Sequence, residues 1–273
     1  MELTLLAALS FLGCFTGFLA GLFGIGGGMI LTPFLTMLLS LSGAFPSDQI
    51  VHIAIATSMG TILFTSLSSL RAHARMGGVL WSAFWGLIPG ILIGGLAGAH
   101  IAGALSAFWI ALVFTTFVGF SATKIFISRS NSQGARDMPG PAGLIASGFT
   151  IGTIASIVGA GGGFIIVPFL TWCRVNIHKA VGTSAALGFP VSLAGTIGYV
   201  ISGWNVPELA GYDGLFGYIY WPALLAVALC SIFTAPMGAR LAHKLDSTRL
   251  KKLFGLMLYC LAGYMLYKAI LAY

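Results

Sequence analysis

Charge is what this sequence has least of. Of its 273 residues only 7% are Asp, Glu, Lys or Arg, against about a quarter in soluble domains, so the chain cannot clothe a globule in water-compatible surface. Charge-free stretches run over 3–47, 76–123, 138–173, 180–207 and 214–239, each long enough for at least one helix across a hydrocarbon core that takes ~20 apolar residues. An all-helical polytopic membrane protein is expected. Cysteine is scarce too. Cys14, Cys173, Cys230 and Cys260 stand apart in apolar context without the CxxC or Cys/His spacing that holds a metal, so no metal is expected. Asp, Glu, Asn and Gln are missing from the interior of every apolar run. That excludes the carboxylate relay of a cation carrier. With no His/Glu spacing and no activated Cys/His pair, it also speaks against an intramembrane enzyme. Lys and Arg avoid the same interiors, which leaves backbone dipoles and hydroxyls to recognise a charged solute.

What is present divides into ten apolar segments, roughly 3–23, 28–42, 50–70, 79–99, 105–127, 140–159, 163–173, 178–203, 217–239 and 250–271. The second and seventh are too short to span, and both start at glycine clusters. The N-terminal stretch has no basic n-region and reads as a retained first span. With both termini outside, in the periplasm, the inner loops receive Arg71, Arg75, Lys124, Arg129, Arg136, Arg174, Lys179, Arg240, Lys244, Arg249, Lys251 and Lys252, leaving one of the 13 basic residues, Lys268, near the outer face. This is the bias of an inner-membrane protein whose basic loops face the cytoplasm. The positive net charge is accounted for by these loops, so the bilayer, not nucleic acid, is the expected partner. The same loops either attract anions to the inner mouth or serve topology alone. Segments flanking the glycine clusters cross fully or turn back as hairpins without moving any basic loop.

The sequence "GLFGIGGGMILTPFLT" at 21–36 returns as "SIVGAGGGFIIVPFLT" at 156–171, an offset of 135. "VHIAIATSMG" at 51–60 answers "IHKAVGTSAA" at 177–186, and "GAHIAGALS" at 98–106 answers "GARLAHKLD" at 238–246. Residues 1–127 and 140–273 are therefore expected to be two repeats joined by a polar cytoplasmic linker, 128–139. Five segments per repeat is an odd number, so the second must enter the membrane in the opposite sense. Secondary transporters share this plan, with the site near the midplane where the repeats meet.

Gly24, Gly26, Gly27 and Gly28, and Gly159, Gly161, Gly162 and Gly163, mark breaks in the helices. Irregular backbone survives in hydrocarbon only where protein packs it or a wet cavity receives it. Each break opens a short helix whose first N–H groups lack an intrahelical partner and carry about half a positive charge. Two such ends, converging, suit one small anion. Close helix packing by small residues is the alternative use of these glycines. Pro33 and Pro168 either act as hinges or kinks that free a carbonyl or are tolerated kinks. The pairs Thr57-Ser58 and Thr183-Ser184 either donate to the anion or bond to the carbonyl four residues back. His52 and His178 either gate or carry a proton or cap an interfacial helix end; His73, His100 and His243 read as loop or boundary residues.

The paired glycine motifs, the "ATS" and "GTS" after them, the "GYIYWPALLA" of 217–226 and the ending "APMGARLAHKLDSTRLKKLFGLMLYCLAGYMLYK" resemble the TauE/SafE family of sulfite and organosulfonate exporters over essentially the whole chain. The resemblance implies an inner-membrane carrier of small sulfur-containing anions, working outward without a cofactor. The expected function is export of sulfite or an organosulfonate by alternating access. Uptake of thiosulfate or sulfate, and a non-transporting scaffold or sensor, are the rivals. A homodimer is compatible with the sequence and not specified by it.

Overall fold

The computed structural model describes residues 3–127, 137–204, 206–209 and 211–271. Residues 128–136, most of the expected linker with Arg129 and Arg136, lie outside the described residues. Ten helices follow the apolar segments: α1 Leu3–Phe23, α2 Gly28–Ser42, α3 Ile50–Arg75, α4 Trp81–Gly103, α5 Ala107–Ile127, α6 Pro141–Val158, α7 Gly163–Trp172, α8 Ile177–Gly203, α9 Trp221–Lys244 and α10 Ser247–Leu271. A two-stranded antiparallel turn, β1 Leu215–Phe216 with β2 Ile219–Tyr220, leads into α9. Six helices, α1, α3, α4, α6, α8 and α9, are long and apolar enough to cross a membrane. The protein is a multi-pass integral membrane protein.

The 10 residues of α7 and 15 of α2 extend only about 15 and 22 Å at 1.5 Å per residue, short of a ~30 Å core. Each turns back. Just past α7, Arg174 pairs with Asp137 at 3.2 Å, just before α6, so the α6–α7 hairpin starts and finishes at one end of the bundle. Phe45, after α2, meets Tyr220 edge-on at 5.1 Å beside the start of α9. Helix α1 runs parallel to α9, so the α1–α2 hairpin starts and finishes at the other.

Glycine ridges set the closest helix contacts. Gly13, Gly17 and Gly21 of α1 lie against the backbone of Val227, Ser231 and Ala235 of α9. In the same way, Gly90, Gly94 and Gly98 of α4 lie against Ile145, Phe149 and Thr153 of α6, whose Gly148 and Gly152 press on Leu87 and Ile91. Backbones approach this closely only without Cβ atoms, and van der Waals contact is the main force that holds helices together in lipid. The pairing is reciprocal: α1 sits on α9 and α6 on α4, while α3 packs on α8 in the centre and α5 on α10. The outer faces are apolar, with Phe11 and Phe233 each 76% exposed.

Arg71, Arg75, Arg174, Lys179, Arg240, Lys244 and Arg249 gather at one end. There His178 Nε2 meets the Leu245 carbonyl at 2.9 Å and His73 Nδ1 meets His243 Nε2 at 3.1 Å. Asp48, Glu208 and Asp213 belong to the opposite end, where the first two are charge neighbours of Tyr218.

Candidate functional site

The chain leaves α1 through Gly24, Gly26 and Gly27, with φ of 67°, 73° and 81°, and leaves α6 through Gly159 and Gly162, with φ of 73° and 77°. These left-handed angles cost an L-residue about 1–2 kcal/mol each, which is why the clusters are glycine. The two breaks meet in the middle of the molecule. A Cβ on Gly161 would stand 3.1 Å from Gly26 Cα and 2.9 Å from the Ile25 carbonyl, and one on Gly26 would stand 3.2 Å from Gly161 Cα. A Cβ on Gly28 would stand 2.6 Å from the Gly159 carbonyl, and one on Gly163 would stand 2.6 Å from that of Gly24. Gly24, Gly26, Gly28, Gly159, Gly161 and Gly163 therefore meet across the two breaks, whereas Gly27 faces Thr16 and Ala20 of α1 and Gly162 faces Ile151 and Ala155 of α6; all eight are buried.

Hydroxyls lock this contact across the molecule. Ser184 Oγ donates to the Gly24 carbonyl at 2.7 Å. Ser58 Oγ lies 3.4 Å from the Gly159 carbonyl and 3.3 Å from that of Gly28, and Thr32 Oγ1 donates to Gly159 at 3.1 Å. Each serine thus reaches the glycine break of the opposite stretch. Thr57 Oγ1 accepts the N–H of Tyr220, the residue that opens α9, at 2.9 Å, and Thr183 Oγ1 accepts that of Leu80, which opens α4, at 2.8 Å. None of the bonds of Thr57, Ser58, Thr183 and Ser184 runs to the carbonyl four residues back; Thr61 and Thr65 do bond that way, to Thr57 and Thr61.

At the starts of α2 and α7 the N–H groups of Ile30 and Leu31 return to Gly27, and those of Ile165 and Ile166 to Gly162. Neither Gly27 nor Gly162 has a side-chain cap. The N–H groups of Gly28 and Met29, and of Gly163 and Phe164, take no acceptor in the backbone network. Two positive helix ends therefore share one buried place in which, among the described residues, these donors find no acceptor and no basic side chain stands.

Pro33 and Pro168 lie inside α2 and α7, each helix continuing through its proline. His52 and His178 stand at opposite ends of the bundle, where each ties a helix start to the end of another helix. His52 Nε2 meets the Ala102 carbonyl in the last turn of α4 at 3.1 Å and the Leu105 carbonyl just past it at 3.2 Å, and His178 Nε2 meets Leu245 past α9. Both His52 and His178 are thus remote from the glycine contact.

Sequence reasoning missed two donors that finish the breaks. His73, in the last turn of α3, is fully buried, and its Nε2 lies 2.9 Å from the Gly21 carbonyl in the last turn of α1. Tyr199 OH donates at 2.9 Å to the Ser156 carbonyl in the last turn of α6. Breaks orphan carbonyls such as that of Gly21, and leaving one unpaired in the bilayer costs several kcal/mol; the Ser156 carbonyl also takes the Gly159 N–H at 3.3 Å. The signal was available: His52 to His178, Thr57 to Thr183 and His73 to Tyr199 are each 126 residues apart.

A family model described as sulfite exporter TauE/SafE matches residues 9–265. A probable membrane transporter protein of Haemophilus influenzae is 36% identical over 250 residues, covering 92% of this chain and 94% of the relative. Others so described are 26% identical over 254 residues in Methanocaldococcus jannaschii, covering 91% of both chains, and 25% identical over 279 residues in Bacillus subtilis, covering 95% and 96%. No solved structure matches.

Proposed function

Because the chain belongs to the sulfite exporter TauE/SafE family and is a membrane transporter, not an enzyme, we propose that it carries a small sulfur-containing oxyanion, sulfite or an organosulfonate, out across the inner membrane. The observation that carries the anion reading is the meeting of two helix N-termini, with the unpaired N–H groups of Gly28, Met29, Gly163 and Phe164, in a buried place without basic side chains. In a low dielectric such donors stabilise an anion strongly, and without lysine or arginine in the site the anion is released without breaking an ion pair.

The mechanism follows from the closure of the two breaks. Gly26 and Gly161 must part to admit the anion, and the bonds from Ser184 to Gly24 and from Ser58 to Gly159 must yield. These same hydroxyls then become free to donate to the oxyanion. Reciprocal packing of α1 on α9 and α4 on α6, with matching hydrogen bonds 126 residues apart, supports two inverted repeats that rock against one another. Placing the basic end in the cytoplasm sets both termini outside.

The test is thermal stability of the detergent-purified protein against sulfite, sulfate, thiosulfate, taurine, sulfoacetate, chloride and phosphate, followed by flux in proteoliposomes. Selective stabilisation and flux of one sulfur oxyanion are expected. Stabilisation by none of them, together with no sulfite or sulfonate flux, would sink the reading.

A further inference from the structure

Where α3 and α9 meet at the basic end they enclose a cavity of about 430 Å³. Arg71, Arg75 and Arg240 line it at the basic end, and Phe64, Leu67 and Ile232 line it further along the two helices towards the middle of the bundle. Among the described residues none of the three arginines has a carboxylate partner, the ion pairs being Arg174 with Asp137 and Arg249 with Asp246. The lining is one stripe of each helix: every fourth residue of α9 from Ile232 to Arg240, and the α3 face from Phe64 to Arg75. Eleven residues at 1.5 Å each make the α3 side about 16 Å long, half the thickness of the hydrocarbon core. Along that length it changes from apolar to triply cationic. Ser68 offers no polar group midway, because its hydroxyl is spent on the Ile232 carbonyl at 2.7 Å.

We propose that this cavity is a binding site for an anionic phospholipid, the headgroup phosphate held by Arg71, Arg75 and Arg240 and an acyl chain laid along Phe64, Leu67 and Ile232. The gradient decides the source of the phosphate. A free oxyanion has use for the arginine end alone, whereas a lipid fills both parts. The cavity also opens on the bundle's outer wall, where Phe64 is 44% and Phe233 76% exposed. Basic pockets between helices at the cytoplasmic surface recognise lipid headgroups in this manner. Topology requires basic residues near the helix ends, which Arg174, Lys179, Lys244 and Arg249 already supply; it does not require three guanidiniums around one cavity. Carried by the sequence offsets, the matching positions of α8 and α4 at the opposite end are Ile197, Ile201 and His100, so the site belongs to one end only. It is independent of what the protein transports.

The experiment titrates the purified protein in detergent with phosphatidylglycerol, phosphatidylcholine of the same acyl chains, and inorganic phosphate, reading lipid retention by native mass spectrometry and Tm. Phosphatidylglycerol should be retained and raise Tm, and the other two should not. The triple variant R71Q/R75Q/R240Q should bind phosphatidylglycerol about a hundredfold more weakly, roughly fivefold for each arginine. Ile232→Trp, which fills the apolar part and leaves the charge intact, should also weaken retention. The unmodified protein and Ile232→Trp decide the matter should the triple variant fail to fold. Equal retention of the two lipids, or unchanged retention in both variants, overturns the proposal. Equal stabilisation by inorganic phosphate overturns it too and makes the cavity a free-anion vestibule.

Discussion

At the basic end of the bundle His73 serves the Gly21 carbonyl and touches His243, whose ring centroid lies 5.1 Å away and in turn 6.2 Å from that of His178. At the opposite end Tyr199 serves the Ser156 carbonyl, Tyr218 lies 6.5 Å from it, and His52 stacks on Tyr218 at 5.4 Å. The backbone duties are the same, performed by His73 and His178 at one end and by Tyr199 and His52 at the other, with the rings of His243 and Tyr218 beside them. Burial, with Glu208 and Asp48 nearby, pushes the Tyr218 phenol up, so it stays neutral throughout the physiological range. What is shared between the ends is the support of the breaks; what differs is the donor, an imidazole at one end and a phenol at the other.

The strongest test of the shared part is to fill the contact itself. Gly26→Leu and Gly161→Leu should each abolish anion flux in proteoliposomes while the protein stays in the membrane with its helical circular dichroism. Unequal loss would break the equivalence of the two breaks. As a control, Gly43→Ala changes a glycine of φ 60° with nothing within 4 Å of its added Cβ and should leave flux intact. Thr57→Val and Thr183→Val come next. Each orphans a backbone N–H, of Tyr220 or Leu80, and should lower stability by about 1–3 kcal/mol, read as Tm. Ser58→Ala and Ser184→Ala remove bonds worth ~1 kcal/mol. They should shift anion affinity by similar factors, and a large effect from one alone would assign recognition to a single break. The smallest effect sharpens the difference between the ends: His73→Phe and Tyr199→Phe each remove one donor to a carbonyl at the end of a helix, worth about 1 kcal/mol, and Tyr199→Phe should lower Tm less, because the Gly159 N–H still serves the Ser156 carbonyl. Equal loss of Tm in the two would erase that difference.

The helices were legible because hydrophobic length and glycine punctuation are properties of the chain alone. The expected segments 28–42 and 163–173 became α2 and α7 almost to the residue. The sequence also named the glycines and hydroxyls that meet. It did not name their partners, since the carbonyls of Gly24, Gly159, Gly21 and Ser156 are backbone atoms with no identity in a sequence. His73 was passed over because its counterpart is a tyrosine, and a search for like residues misses unlike donors with the same task. The ridge of Gly13, Gly17 and Gly21 was passed over because the triple glycines drew attention away from ordinary small-residue spacing.

That ridge bears on how the protein is made. Until α9 leaves the ribosome, α1 has only lipid or an insertion factor against its bare glycine face, and α4 waits in the same way for α6. The first half of the chain thus enters the membrane as an unfinished surface, and the core closes only once the second half has been synthesised to clasp it. The breaks, which need both halves, are among the last parts to form.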